Sequence, residues 1–333
     1  MGRKRTIPCY LPSELLREIL ARLPVKTLLR FRCVSKDWCM IIDGNNFTLQ
    51  HLTRYMKNRK NDDVHAISDA ALLVMEMGAD DWRGKWMIRR GDTFRKTLEL
   101  DPEFDGYNVS GYVNGVLFFW HDYRLIMWNP SVRRHVEVPD YCNSSLNGLV
   151  FGFGFDALNN DYKVVKIGNP PGQDVSHASS VLAVFSFRSG CWRQVDVAVR
   201  IMCHDQSIFF KGTIYWLSGK TAPFYIEKGR ELVSFNVHSD ALGYVDVPKH
   251  DEKELLRSKL AIVHNSLALL DISRERSTIW LMDKDWETIQ WTKRYSVEID
   301  GFFIFELYFL KPNAEILFGR EDGVKSYHFE SPA

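Results

Sequence analysis

The chain has 333 residues, 45% of them apolar, enough for one large domain or two ordinary ones with sizeable cores. The overall charge of +1 hides an asymmetry, because residues 1–57 carry 11 Lys and Arg against 4 Asp and Glu, a net +7 that leaves −6 for the remainder. The six cysteines (Cys9, Cys33, Cys39, Cys142, Cys191, Cys203) form no C-x-x-C pair, which excludes zinc-finger and disulfide-framework spacing and places the chain in a reducing compartment, cytoplasmic and/or nuclear.

The opening Met1-Gly2-Arg3-Lys4-Arg5-Thr6 fits a myristoylation pattern, a basic nuclear-import tail and a plain solvated tail alike. From Leu11 to about Lys57 the apolar residues recur at three and four. Leu15, Leu16, Ile19, Leu20 and Leu23 share one face, and Trp38, Ile41 and Ile42 another. This spacing predicts short helices. Pro12 and Pro24 fit the first turns of two of them, and Ser35 is placed to cap a third. Helices of about ten residues cannot stand alone in water, so the segment must pack internally and against something else. Its basic residues alternate with Leu, Ile and Phe instead of forming one stripe, so no nucleic-acid partner is expected.

Residues 58–100, with Asn61-Asp62-Asp63 and Asp80-Asp81, read as a linker running into the first strands. Beyond about residue 100 the pattern becomes short runs of β-branched and aromatic residues broken by Asn, Gly, Asp and Pro, with no helical stretch longer than Lys249–Ser258. A turn-then-strand unit recurs: Asn114-Gly115 before Val116–Trp120, Lys211-Gly212 before Thr213–Leu217, and Asn265-Ser266 before Leu267–Leu270. A second unit recurs from Trp128-Asn129-Pro130 to Val138-Pro139 and from Phe235-Asn236-Val237 to Val247-Pro248. Recurrence near about 50 residues, with one weak copy skipped, suggests propeller blades or a related array of small antiparallel sheets. The expected fold class is multidomain α plus β, a short helical N-terminus followed by an all-β, propeller-like domain.

The run from Leu11-Pro12 through Leu23-Pro24-Val25-Lys26 to Cys33-Val34-Ser35-Lys36-Asp37-Trp38 closely resembles the F-box of flowering-plant proteins. Downstream, Trp128-Asn129-Pro130-Ser131, Phe151-Gly152-Phe153-Gly154-Phe155-Asp156, Asp161-Tyr162-Lys163-Val164-Val165 and Val184–Phe187 leading to Trp192-Arg193 together resemble the F-box-associated domain of a large plant family. The paired glycines of kelch blades are missing. The resemblance implies an F-box over 8–57, a linker and lead-in over 58–100, and an F-box-associated β-domain over 101–330.

It implies docking of a Skp-type adaptor and, through it, of cullin and RING subunits, as the substrate-recognition subunit of an SCF-type ubiquitin ligase. The β-domain would recruit a protein target. The residues it assigns to adaptor docking are Leu11, Pro12, Leu15, Leu16, Ile19, Leu20, Leu23, Pro24, Val25, Leu28, Leu29, Val34 and Trp38. For Leu16, Leu20 and Leu29 the alternative is a place in the unit's own core, whereas Leu11, Pro12 and Pro24 sit at segment ends, where contact is favoured. The charge of −6 beyond residue 57 suits a basic target. Two other readings stay open: an enzyme or sugar-binding protein on a propeller scaffold, and an adaptor-bound scaffold outside the ligase. The target's identity and the pathway, whether self-incompatibility, defence or hormone signalling, are not encoded in these motifs.

Catalytic chemistry has no sequence signature here. Gly152-x-Gly154-x-x-Ala157 formally matches a dinucleotide fingerprint, but Asn159-Asn160-Asp161 reads as a turn and Tyr162–Val165 as a strand where a helix is required. The glycines are expected where backbone is crowded. H-E-x-x-H, G-x-S-x-G and P-loop patterns are missing and the ten histidines are scattered, so no catalytic residue, cofactor or metal is expected. The aromatic run Gly301–Leu310 is interrupted by Glu306 and is about half the ~20 residues of a membrane span, so no membrane partner is expected. The sequons at Asn46, Asn108 and Asn143 read as accidents of composition.

Overall fold

A computed structural model of the chain describes residues 12–44, 47, 50, 51, 54, 71–76, 85–90, 95–100, 104–122, 124–130, 134–140, 146–170, 180–196, 207–219, 230–248, 257–263, 265–272, 277–284, 289–297, 306–311, 315–320 and 323–328. The chain divides into two compact units, one comprising Met1–Ala66 with Pro130–Arg133, the other Ile67–Asn129 with Arg134–Ala333.

The first unit holds three short helices: α1 (Ser13–Leu20), α2 (Val25–Phe31) and α3 (Lys36–Asp43). Pro12 and Pro24 stand at the N-caps of α1 and α2, one position earlier than the first-turn placement expected, with φ of −52° and −59°. The prolines lack an N–H that no helical carbonyl would have accepted there. Ser35 caps α3 as the sequence predicts, its Oγ accepting the Trp38 N–H at 3.2 Å. Leu20, Ala21, Leu28, Ile42 and Phe47 form the core, with Leu16, Leu23, Phe31, Trp38 and Ile41 packed around them. Phe31 and Trp38 meet edge to face at 5.2 Å.

The second unit is all-β and propeller-like, built from six antiparallel sheets among the described residues. Each sheet is a meander of sequence neighbours. The first sheet is β1 (Ala71–Glu76), β2 (Lys85–Arg90) and β3 (Arg95–Glu99). The second is β4 (Asn108–Val113), β5 (Val116–His121), β6 (Arg124–Asn129) and β7 (Arg134–Val138); the third is β8 (Asn147–Asp156), β9 (Asp161–Asn169), β10 (Val181–Ser186) and β11 (Cys191–Val195). The fourth is β12 (Ile208–Phe210), β13 (Thr213–Gly219), β14 (Arg230–Asn236) and β15 (Leu242–Asp246); the fifth is β16 (Arg257–Val263), β17 (Ser266–Ile272), β18 (Ser277–Lys284) and β19 (Ile289–Val297). The sixth is β20 (Glu306–Lys311), β21 (Glu315–Arg320) and β22 (Gly323–His328).

The recurring turn-then-strand units fall at one equivalent place, the first hairpin of the second, fourth and fifth sheets. Their turns need left-handed backbone: φ is 52° at Asn114 and 83° at Gly115, 47° at Lys211 and 79° at Gly212, and 59° at Asn265. The skipped copy is the third sheet, whose longer first turn is closed by the Asp156 carboxylate accepting the Leu158 and Asn159 N–H groups. The second recurring unit marks the third-to-fourth strand hairpin of the second and fourth sheets.

The stretch 58–100, expected as a linker running into the first strands, contains the first sheet. Trp86 and Ile88 join Leu100, Phe104, Tyr107, Leu117, Phe119, Ile126 and Trp128 in one core, and Trp86 Nε1 donates to the Tyr107 carbonyl at 2.8 Å. Of the helix-prone Lys249–Ser258, residues 249–256 lie outside the described residues, while Arg257 and Ser258 open β16 as strand. The expected crowding at the glycines of β8 is real. A Cβ on Gly152 would lie 2.2 Å from Trp216 and one on Gly154 2.7 Å from Val237. Trp216 is held there by donating from Nε1 to the Phe151 carbonyl at 3.0 Å.

Candidate docking surface

The stripe that predicted α1 is wider than the helix can bury. Leu20 (0% exposed) and, on α2, Leu28 (4%) lie inside the unit's own core, while Leu15 (54%) and Ile19 (48%) face solvent one turn apart. Leu16, Leu23, Leu29 and Trp38 are half-buried, and Pro12, Pro24, Val25 and Val34 are exposed. Leu11 lies outside the described residues. The thirteen residues assigned to docking therefore divide by position. Leu20 and Leu28 can act only by shaping the helices, whereas Pro12, Leu15, Ile19, Pro24, Val25 and Val34 offer apolar surface directly. Met40, on α3, is also exposed, though it is not among the residues assigned to docking.

Charge surrounds this apolar surface. Arg17, Arg22, Lys26, Arg30 and Lys36 are all exposed. Glu18 accepts ion pairs from Arg22 at 3.3 Å and Arg54 at 3.1 Å, tying α1 to the chain beyond α3. Arg32 pairs with Asp43 at 2.7 Å, joining the end of α2 to the end of α3; that hydrogen bond holds the Asp43 carboxyl below the usual range. His51 Nε2 lies 2.9 Å from the Leu23 carbonyl at the α1–α2 turn. The outcome is a fixed helical frame carrying exposed Leu, Ile and Val among cationic side chains.

The motif residues of the β-unit do different work. Asp161 Oδ2 accepts the Ser186 hydroxyl at 2.6 Å and Oδ1 the Arg188 N–H at 2.8 Å, closing the β10–β11 turn. Lys163, almost fully buried, crosses from the third sheet to the fourth, donating to the Val237 carbonyl at 2.5 Å and to Asp240 at 3.2 Å. Arg193 also pairs with Asp240, and His238 Nδ1 lies 3.3 Å from Asp156. Burial pushes the Asp156 carboxyl up, but hydrogen bonds from Asn159 and His238 and the Lys163 charge outweigh it and hold it low. Burial dominates at Lys163 and lowers its pKa. Trp192 on β11 donates from Nε1 to the Pro139 carbonyl after β7, and Trp291 on β19 to the Asp246 carbonyl on β15 at 2.7 Å. Two neighbouring pairs of sheets are thus clamped by the same indole-to-carbonyl contact. These motif residues bind sheets and turns together.

Among the described residues no helix is long and apolar enough to cross a membrane, and no three His, Cys, Asp or Glu side chains gather as metal ligands.

Comparison with known proteins places both units. Residues 9–50 match the F-box domain, and residues 92–304 match the family described as F-box associated beta propeller domain. The chain is 27% identical over 321 residues to F-box protein At1g47340 of Arabidopsis thaliana, covering 88% of this chain and 65% of that protein. It is 23% identical over 324 residues to F-box/kelch-repeat protein At3g23880 of the same plant, covering 89% of this chain and 81% of that one. Among solved structures it is similar to TolB from Acinetobacter baumannii, with a TM-score of 0.46 and 9% identity over 86% of this chain and 71% of that one. With helices over the F-box match and antiparallel sheets over the propeller match, the chain belongs to the F-box proteins that carry an F-box associated beta propeller domain.

Proposed function

We propose that this protein is the substrate-recognition subunit of an SCF-type cullin–RING ubiquitin ligase, docking a Skp-type adaptor through its helices and a target protein through its β-unit. The observation that carries this reading is the set of large apolar side chains left outside a core that is already complete: Leu15, Ile19, Val25 and Val34, all within the F-box match. Exposed apolar surface of this kind is characteristic of a docking site. The cations around it fit an adaptor face that is apolar at its centre and acidic at its rim. The receptor itself is non-catalytic in this reading, and ubiquitin transfer uses chemistry supplied by the partners.

The test is copurification of the full chain with a Skp-type adaptor and cullin, followed by reconstituted ubiquitination of proteins captured by the β-unit. Capture of adaptor and ubiquitination of a captured target are expected. Adaptor binding without ubiquitination of any captured protein would replace the receptor by a scaffold acting outside the ligase. Saturable turnover by the isolated chain, removed by a point substitution in the β-unit, would replace it by an enzyme. A fragment starting at Asn58 is expected to hold its target without delivering it, so that in cells the target accumulates.

A further inference from the structure

The fourth and fifth sheets part at one end to leave a cavity of about 380 Å³, within the roughly 300–1,000 Å³ range of small-ligand sites. In the β12–β13 hairpin Phe210 pairs with Thr213 and Ile208 with Tyr215, so Phe210, Thr213 and Tyr215 share one face of the sheet. That face continues inward as the cluster of Tyr215, Leu232, Leu267 and Met282, which makes the cavity the open mouth of an apolar core. Its floor is therefore ring and thioether. Tyr215 is 5% exposed, and burial pushes its phenol pKa up, keeping a neutral hydroxyl in the wall. Thr213 and Ser266 add two aliphatic hydroxyls.

Two opposite charges stand among the lining residues. Lys211, in the left-handed turn, holds its ammonium 4.8 Å from the centre of the Phe210 ring. Asp283 is fixed by the Thr292 hydroxyl, which donates to Oδ2 at 2.9 Å. An anion drawn to Lys211 meets Asp283, and a cation drawn to Asp283 meets Lys211. A wholly apolar ligand would shield Lys211, Asp283 and the Thr213 and Ser266 hydroxyls from water without replacing it, whereas the Tyr215 hydroxyl is already hydrogen-bonded to Thr213. A neutral molecule with an apolar face and hydroxyls that both donate and accept meets the ring floor, both charges and the aliphatic hydroxyls together, whereas a small zwitterion matches the charges but offers no apolar face to Phe210 and Met282.

We propose that this cavity binds a neutral pyranose sugar, its C–H face on Phe210 and the Tyr215–Met282 floor, and its hydroxyls shared between Lys211, Asp283, Thr213 and Ser266. The sugar could be free or carried on a protein. The site goes beyond the receptor reading and does not depend on it.

The experiment is titration calorimetry of the full chain with methyl α-D-glucopyranoside, methyl α-D-mannopyranoside and N-acetylglucosamine, against acetate, methylammonium and glycine as charged and zwitterionic controls. Saturable millimolar binding of at least one sugar is expected, weakened at least tenfold by Phe210→Ala and by Asp283→Asn. If Phe210→Ala does not fold, Lys211→Asn, which suits the left-handed turn, replaces it with the same expectation. Failure of all three sugars to saturate, stronger binding of any control, or binding indifferent to the variants overturns the proposal. A glycopeptide carrying the best sugar then assigns the source: tenfold tighter binding than the free sugar indicates a protein-borne glycan, and equal binding indicates the free saccharide.

Discussion

The two units differ in how much core stands behind their exposed apolar residues, since the β-unit also exposes Leu158 and Val136 but sets them against far larger cores. In the helical unit Leu15 (54% exposed), Ile19 (48%) and Val34 (59%) lie in water beside a core of five residues, while in the β-unit Phe153, Trp216, Phe235 and Leu269 are each 0% exposed. The β-unit instead takes charge inward: Lys163, Lys166, Asp156 and Asp161 are buried and each finds an oppositely charged or hydrogen-bonding partner. A surface is built to be covered when its apolar groups remain outside. A structure is built to close on itself when even its charges are satisfied within. The helical unit keeps apolar surface outside a small core, and the β-unit fastens its sheets with buried charge.

The sharpest way to break this contrast is to remove an internal charge. Lys163→Met removes the buried cation that Asp156 and Asp240 share, leaving Asp240 to Arg193 and Asp156 to Asn159 and His238, and is expected to destabilise the β-unit by about 3 kcal/mol in urea unfolding. Lys163→Met with Asp240→Asn should recover part of the loss. Full stability in the single variant would show that the buried pairs contribute nothing. The matching change outside is Leu15→Asp with Ile19→Asp, which should weaken adaptor binding by about 100-fold or more, because charge is placed in a contact that must lose water. Its melting temperature should stay near that of the parent, since both side chains are already exposed. Unchanged affinity in a folded variant would remove α1 from the docking surface.

Gly152→Ala brings a Cβ to 2.2 Å from Trp216, whose indole is tethered to Phe151, so a loss of about 1–3 kcal/mol is expected by thermal unfolding. Trp291→Phe keeps an aromatic side chain, though a smaller one, but removes the N–H clamp to Asp246, and should cost about 1 kcal/mol. The smallest effect is electrostatic and belongs to the helices. The folded pKa of Asp43 is lowered by Arg32, so its pairing stabilises the unit above the unfolded pKa of about 4 and is lost as the pH falls through the folded value. Both side chains are nearly half exposed and screened by salt, which limits the contribution to about 0.5 kcal/mol. Circular dichroism should find Asp43→Asn slightly less stable than the parent at pH 7, with the gap closing below about pH 4.

Local chemistry was legible in the sequence and long-range geometry was not. The Ser35 cap and the turns at Asn114-Gly115 and Lys211-Gly212 follow from nearby residues and appear where expected, and the crowding expected at Gly152 is present although Trp216, which causes it, is distant in sequence. The first strands were expected in this stretch but not delimited, because Ala71–Glu76 is an almost continuous apolar run without strand alternation and Lys85–Arg90 mixes three basic with three apolar residues. Periodicity found α1 but could not divide Leu15 and Ile19 from Leu16 and Leu20, because the crossing of three helices decides which edge of a broad stripe is covered. Lys163 belongs to a recognisable motif, yet its partners Val237 and Asp240 lie 74 and 77 residues further on. The cavity draws on β12, β13, β17 and β18, a neighbourhood that exists only after two sheets have met.

The meander has a kinetic consequence. Because, among the described residues, each sheet pairs strands adjacent in sequence, each can close with little entropic penalty as soon as its own stretch of chain has left the ribosome. In the third and fifth sheets the strand made last carries the indole, Trp192 or Trp291, that reaches back to a carbonyl of the sheet made before. The clamp cannot engage until its sheet is finished. Assembly of these sheets is thereby given a direction during synthesis, the third and the fifth each being fastened to its predecessor once its own last strand is in place.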